Sequence, residues 1–395
     1  MDSGSIAWML ICSALVLLMT PGLALFYGGL VRSKNVISTM MYSFISMGVA
    51  SIVWVLWGYS LSFGEGGNSF IGTLNNFSLI GVESVEDQIF AIFQMMFAII
   101  TPALITGAFC ERFKFKTYLI FLVLWLTFVY APIAHWVWDS NGWLFKMGAL
   151  DFAGGAVVHI NAGIAAIAAV IFVGRRRDIE GGIEPHNVPL VLIGTGILWF
   201  GWFGFNAGSG LAADGIAVNA FLVTNTCAAM GMLVWLILGM MHSGKSSGIG
   251  AATGAIAGLA TITPAAGFVS VGSSIIIGLI TGIITFYAVY FKTKISLDDA
   301  LDVFAVHGLG GVVGLICLGI FANEGGLING SSELLINNLI MIVVTIVYSL
   351  VVSILLLKLL DVIPGLGLRS SNNEEDFGLD LSDHGERAYI ADGAD

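Results

Sequence analysis

Residues Ala149–Gly163 read ALDFAGGAVVHINAG. Most of them are small and apolar, the composition of a helix that packs closely against others inside a membrane. Asp151 and His159 break the pattern. An ionisable group within a membrane span is costly, so it faces the interior of a bundle and is a functional candidate. Eight residues separate the two, about 12 Å along a helix, which sets the carboxylate one or two turns outward of the imidazole. Asp is also a favoured helix N-cap when small residues follow it. A cap and an electrostatic aid to a nearby cation are compatible readings, and capping is taken as the primary one.

The rest of the chain supports a membrane setting. Of 395 residues, 57% are hydrophobic and only 10% charged, with a mean hydropathy of +0.94. Soluble domains carry about 25% charged residues. Apolar runs of about 20 residues recur, each long enough to cross a bilayer as a helix, and they lack the alternation of a membrane β-barrel. The first run has no basic leader and reads as helix 1 rather than a signal peptide. Eleven spans result, at about 6–30, 38–63, 89–110, 115–137, 153–174, 189–207, 217–241, 249–264, 268–291, 301–321 and 334–360, the eighth being short and glycine-rich.

The loops test that count. Fourteen of the 15 Lys and Arg residues follow odd-numbered spans, and Lys146 is the exception. The alternate loops carry Glu65, Glu83, Glu86, Asp87, Asp139, Asp214, Glu324 and Glu333. By the positive-inside rule the basic side is cytoplasmic, so the N-terminus lies outside and the C-terminus inside. The expected fold is an all-α polytopic membrane protein, with a transmembrane domain at 1–360 and a cytoplasmic regulatory tail at 361–395. Much of the net charge of −11 sits in that acidic tail, where 370–377, SSNNEEDF, reads as a solvated linker. Nothing suggests nucleic-acid binding. Cys12, Cys110, Cys227 and Cys317 are scattered without metal-ligand spacing, so neither a disulfide framework nor a zinc site is expected.

A weak internal echo accompanies the spans. LFYGGL ends span 1 and GFNAGSG ends span 6, while ALDFAGGAVVH opens span 5 and ALDVFAVH opens span 10. Five spans separate each pair, and an odd number inverts the second copy, as in many transporters. The echo pairs His159 with His307 and Asp151 with Asp302. If the imidazoles meet, they form a coupled pair able to pass or share a proton; two unrelated packing histidines are the other reading. Asn161, Asn206 and Asn225 read as helix–helix hydrogen bonders, and Arg175, Arg176 and Arg177 as a topology anchor.

Several long stretches then carry a resemblance. PGLALFYGGLVRSKN, FQMMFAIITPALITGAFCERFKF, HWVW, GALDFAGGAVVHINAG, WFGFNAGS, DDALDVFAVHGLGG and FGLDLSDHGERAY occur in this order. The chain resembles the ammonium transporter family, the Amt branch of the Amt/Mep/Rh superfamily, nearly end to end. That resemblance implies an eleven-helix protomer with spans 1–5 and 6–10 inverted, one narrow pore per protomer, and a homotrimer in the cell membrane. It implies a cation recruitment site at Trp138, Phe93, Phe97 and Ser209, and a gate at Phe97 and Phe205. It implies a twin-histidine pore at His159 and His307 with Trp202 beside it, and a buried aspartate, Asp151, needed for conduction. The substrate would be ammonium or ammonia, with methylammonium as an analogue, serving nitrogen uptake. No cofactor, metal or enzymatic activity is implied, and a PII-type signalling protein is a possible cytoplasmic partner. An electroneutral ammonia or gas channel and an ammonium sensor are the alternatives on the same fold.

Overall fold

The structure, a computed structural model, describes residues 1–179, 182–292, 294–295 and 297–390. Eleven apolar helices form it: α1 (Ser3–Leu30), α2 (Ser33–Phe63), α3 (Val85–Phe109), α4 (Phe115–Trp125, continuing through Leu126–Tyr130 and Ala131–Trp138), α5 (Gly155–Val173), α6 (Val188–Gly208), α7 (Gly215–Ser243), α8 (Gly248–Ile262), α9 (Val271–Lys292), α10 (Phe304–Phe321) and α11 (Glu333–Val362). No strand occurs among the described residues. The expected short eighth span is indeed short. Side-chain caps mark several starts: Asp2 caps α1, Ser84 α3, Asn187 α6, Asp214 α7 and Ser247 α8.

Small residues decide how the two halves meet. The first helices of each half, α1 and α6, share the most extensive helix–helix contact. A Cβ on Gly194 of α6 would lie 2.4 Å from the Phe26 amide nitrogen of α1, so the backbones touch only because the side chain is absent. The fifth and tenth helices cross in the same manner, where a Cβ on Gly163 would lie 2.4 Å from the Gly308 Cα. Gly163→Leu is therefore expected to destabilise the protein by about 1–3 kcal/mol through overpacking, read as a lowered thermal midpoint in detergent. An unchanged midpoint would show that this crossing does not hold α5 against α10.

Both crossing helices open with a π-helical turn, Gly155–Ile160 in α5 and Phe304–Gly308 in α10. Each turn carries one histidine of the pair. Such widened turns re-aim side chains and recur at functional sites. The hydrophobic period of the sequence gives no sign of them.

The basic loops converge on one face and lock together. Glu111, fully buried after α3, accepts from Arg32 Nε and Nη2, both at 3.1 Å, and from Arg176 Nη1 at 3.3 Å. Arg176 Nη2 also donates to Asp298 at 2.8 Å, and Arg112 Nη2 donates to the Asp298 carbonyl at 2.7 Å. Burial alone raises both carboxyls. Arg176 and Arg32 around Glu111, and Arg176 and Arg112 around Asp298, more than reverse it, leaving both below the ordinary carboxylate range. Arg176, expected as a topology anchor, is thus a buried brace between the ends of α1, α3 and α5 and the approach to α10.

The tail corrects a second expectation. Residues expected as a solvated linker are mostly exposed as expected, but they form α12 (Asn372–Phe377) rather than a linker, started by a capping box between Ser371 and Glu374. Arg369 forks onto Glu375 at 2.6 and 2.9 Å, and Lys34 donates to the Glu375 and Asp376 carbonyls. Asp380 accepts from the Ser38 amide at 2.8 Å, at the start of α2. Residues 391–395 of the tail lie outside the described residues.

Candidate functional site

A column of rings runs through the bundle from the acidic face towards the basic one. Trp138 ends α4, and its indole donates to the Asp151 carbonyl at 2.8 Å. Phe97 meets Trp138 edge-on at 5.7 Å between centroids, Phe93 at 4.9 Å and Phe205 at 4.4 Å. Phe93 and Phe97 lie one turn apart on α3, and both rings are buried. Ser209 follows α6, with its hydroxyl donating to the Phe205 carbonyl at 2.9 Å and its lone pairs left to accept. The structure therefore gathers Trp138, Phe93, Phe97 and Phe205 into one contact chain, with Ser209 anchored to Phe205.

The imidazoles lie immediately beneath. His159 stacks near Phe205 at 6.0 Å and near Trp202 at 5.6 Å, with interplanar angles of 20° and 24°. His159 and His307 lie 5.2 Å apart between centroids, and their Nδ1 atoms are 3.2 Å apart. Only one Nδ1 of a neutral pair carries the shared proton, so the two rings hold opposite tautomers. One outer Nε2 is then an acceptor and the other a donor. His159 Nε2 is buried and meets no hydrogen-bonding atom among the described residues. A buried polar atom left without a partner is uncommon and marks a position where a polar ligand would be accommodated. The lumen around it is lined by Leu23, Phe26, Leu104, Val158, Leu198 and Ile256, all apolar. Trp202 closes one wall and is fixed by its indole donating to Thr263 at 2.9 Å, a partner the sequence reading did not find.

Asp151 is engaged with backbone. Its Oδ1 accepts from the Gly154 and Gly155 amides at 3.0 and 2.5 Å, and its Oδ2 from the Ala156 and Val157 amides at 2.8 and 3.1 Å. Four amides at the start of a helix satisfy this carboxylate and direct its charge along α5. This is the hydrogen-bonding geometry of a helix cap.

Asp302 does not play the matching part. The residue that caps α10 is Asp299, whose Oδ2 accepts from the Phe304 amide at 2.8 Å. Asp302 instead forms an ion pair with Lys292. The literal repeat of ALD misaligned the halves by three residues. Distance to the histidine marks the structural counterpart instead: Asp299 stands eight residues before His307, as Asp151 does before His159. Below His307 a vestibule opens to the basic face, lined by Phe26, Tyr27, Leu30 and Asp302 among others. Asn206 donates across to Thr224 at 2.9 Å as expected of a helix–helix bonder, whereas Asn161 bonds within α5.

The profile of the Ammonium Transporter Family matches residues 7–389. The chain belongs to the ammonium transporter family. The ammonium transporter Amt1 of Archaeoglobus fulgidus is 49% identical over 395 residues, covering 98% of this chain and all of that one. The ammonium transporter of Bacillus subtilis is 47% identical, covering 98% of this chain and 99% of that one. Among solved structures, Mep2 of Candida albicans superposes with a TM-score of 0.91 at 40% identity, over 99% of this chain and 91% of that one. A protein described as a sensor Amt protein superposes at 0.90 with 32% identity, over 96% and 98% of the two chains. This family member is a multi-pass membrane transporter for ammonium, not an enzyme.

Proposed function

We propose that this transporter carries net ammonium by separating it into ammonia and a proton within the ring column. The observation that carries the reading is the pair of imidazoles held Nδ1 to Nδ1 at 3.2 Å beneath a phenylalanine gate, in an otherwise apolar lumen. Ammonium is recruited at the acidic face by the Trp138, Phe93 and Phe97 rings and the Ser209 hydroxyl, which suit a small cation through cation–π attraction and a hydrogen bond. The intact cation does not cross the lumen, because stripping its water without compensation costs too much. It loses its proton near the negative charge of Asp151. Ammonia then passes Phe97 and Phe205, and the proton follows through the histidine pair. Potassium has no proton to lose, so similar ionic size does not admit it.

The protomer works as a homotrimer in the cell membrane, with the basic face cytoplasmic as the positive-inside rule requires. That face, with its docked tail, is where a PII-type regulator would bind. Although one solved relative is described as a sensor, the relatives above 40% identity described as ammonium transporters favour transport.

The test is current from purified protein in proteoliposomes. A saturable ammonium current is expected, with no current from an equal concentration of potassium. Equal currents from both ions, or none from a folded protein, would overturn the reading.

A further inference from the structure

The two mouths of the pore differ in how they treat a cation. The acidic-face mouth offers ring faces and a hydroxyl. The basic-face vestibule contains a carboxylate, Asp302, on the same wall as His307. That carboxylate is already occupied. Lys292, the last residue of α9, pairs its ε-ammonium with Asp302 and donates to the Asp299 carbonyl at 2.5 Å. The Lys292 and Asp302 side chains are 19% and 24% exposed, the Asp302 Oδ1 that meets the ammonium is itself covered, and Asp302 but not Lys292 lines the vestibule, so the carboxylate borders that space with its partner already in place. The other charged residue on this wall, Arg176, is committed to Asp298 and Glu111.

We propose that Lys292 is a specificity-determining residue whose tethered alkylammonium fills the Asp302 site against free ammonium returning from the basic face. This rests on the transport reading above. Lysine presents the same N–H donors and the same charge as the substrate. Being attached, it competes at an effective concentration in the millimolar range or above. Ammonia reaching the vestibule and taking up a proton therefore meets no free carboxylate and leaves. Ammonium already on that side finds no cation site beneath the histidines. The transporter thus binds substrate on one face and releases it on the other without moving a helix.

The experiment measures inward ammonium current in proteoliposomes sorted to one orientation by a tag on the tail, with ammonium chloride titrated on the basic-face side and membrane voltage held away from reversal. In Lys292→Met, Asp302 is left free, and the basic-side ammonium giving half inhibition is expected to fall about tenfold. Lys292→Arg is expected to behave as the parent. Adding Asp302→Asn to Lys292→Met is expected to restore the parental value. Asp302→Asn alone is expected to leave inhibition unchanged, and Lys292→Gln, which also leaves the carboxylate without its ion pair and is expected to lower the half-inhibiting ammonium likewise, repeats the test should Lys292→Met fail to fold. The proposal is overturned if folded Lys292→Met titrates like the parent, or if Asp302→Asn alone relieves inhibition in the parent. Absence of any ammonium current from the parent would instead contradict the transport reading, and the proposal with it.

Discussion

Replacing both histidines, His159→Leu with His307→Leu, is expected to lower the ammonium current on the order of 100-fold or more, the usual worth of a positioned proton-transfer group. The fold should survive, because leucine fills a similar volume at buried positions among Leu, Phe and Trp side chains. The effect should divide by species. Neutral ammonia, driven by its own gradient at zero voltage, is expected still to enter and alkalinise the lumen. The charge that accompanies it is expected to vanish, since no leucine can relay a proton between Nδ1 atoms. Stopped-flow lumenal pH and current, measured on the same vesicles, read the two routes apart. A variant that kept its full current would place the proton path elsewhere.

The second large effect concerns Asp151. Two readings of this carboxylate make different predictions. As a cap, it is required for the fold of the α5 start, since both oxygens are taken by the amides of residues 154–157. Asp151→Asn keeps one acceptor oxygen but turns an NH2 group towards buried N–H donors. Leaving about two amides unsatisfied should cost about 3 kcal/mol or more. The thermal midpoint in detergent and the current are therefore expected to fall together. A carboxylate acting only as a proton acceptor would give a silent, fully stable Asp151→Asn protein. Asp302→Asn is the internal control: it touches none of the four amides that Asp151 holds, so its midpoint should fall less than that of Asp151→Asn.

Much of this arrangement was legible in residue order. Apolar runs and the sidedness of Lys and Arg gave the spans, because the bilayer imposes one length and one charge rule on every helix. Two histidines inside spans stood out because ionisable groups are rare there. Local backbone geometry was not legible. The π-turns that carry His159 and His307 lie beside the close approach of Gly163 and Gly308, a contact between residues far apart in the chain. The exchange of Asp302 for Asp299 has a similar cause: matching letters aligned ALD with ALD, whereas a cap is set by distance to the helix start. Arg176 looked like any cytoplasmic arginine until folding brought Asp298 and Glu111 to it. The segment 370–377 is solvated as its charge indicates, yet Ser371 and Glu374 stand at capping-box spacing within it and make it helical.

The central claim is that transport moves one charge with each ammonia and that neither protons alone nor potassium cross the pore. The reversal potential of the ammonium current tests it most directly. With equal pH on both sides and a tenfold ammonium gradient, the account predicts a shift of about 59 mV, the value for one charge per ammonium. With ammonium held equal on both sides, it predicts no shift when a pH gradient is imposed, because coupled ammonia and proton are thermodynamically equivalent to ammonium. A reversal potential that follows the proton gradient, or a potassium gradient, would contradict it, and so would ammonia uptake with no current at all.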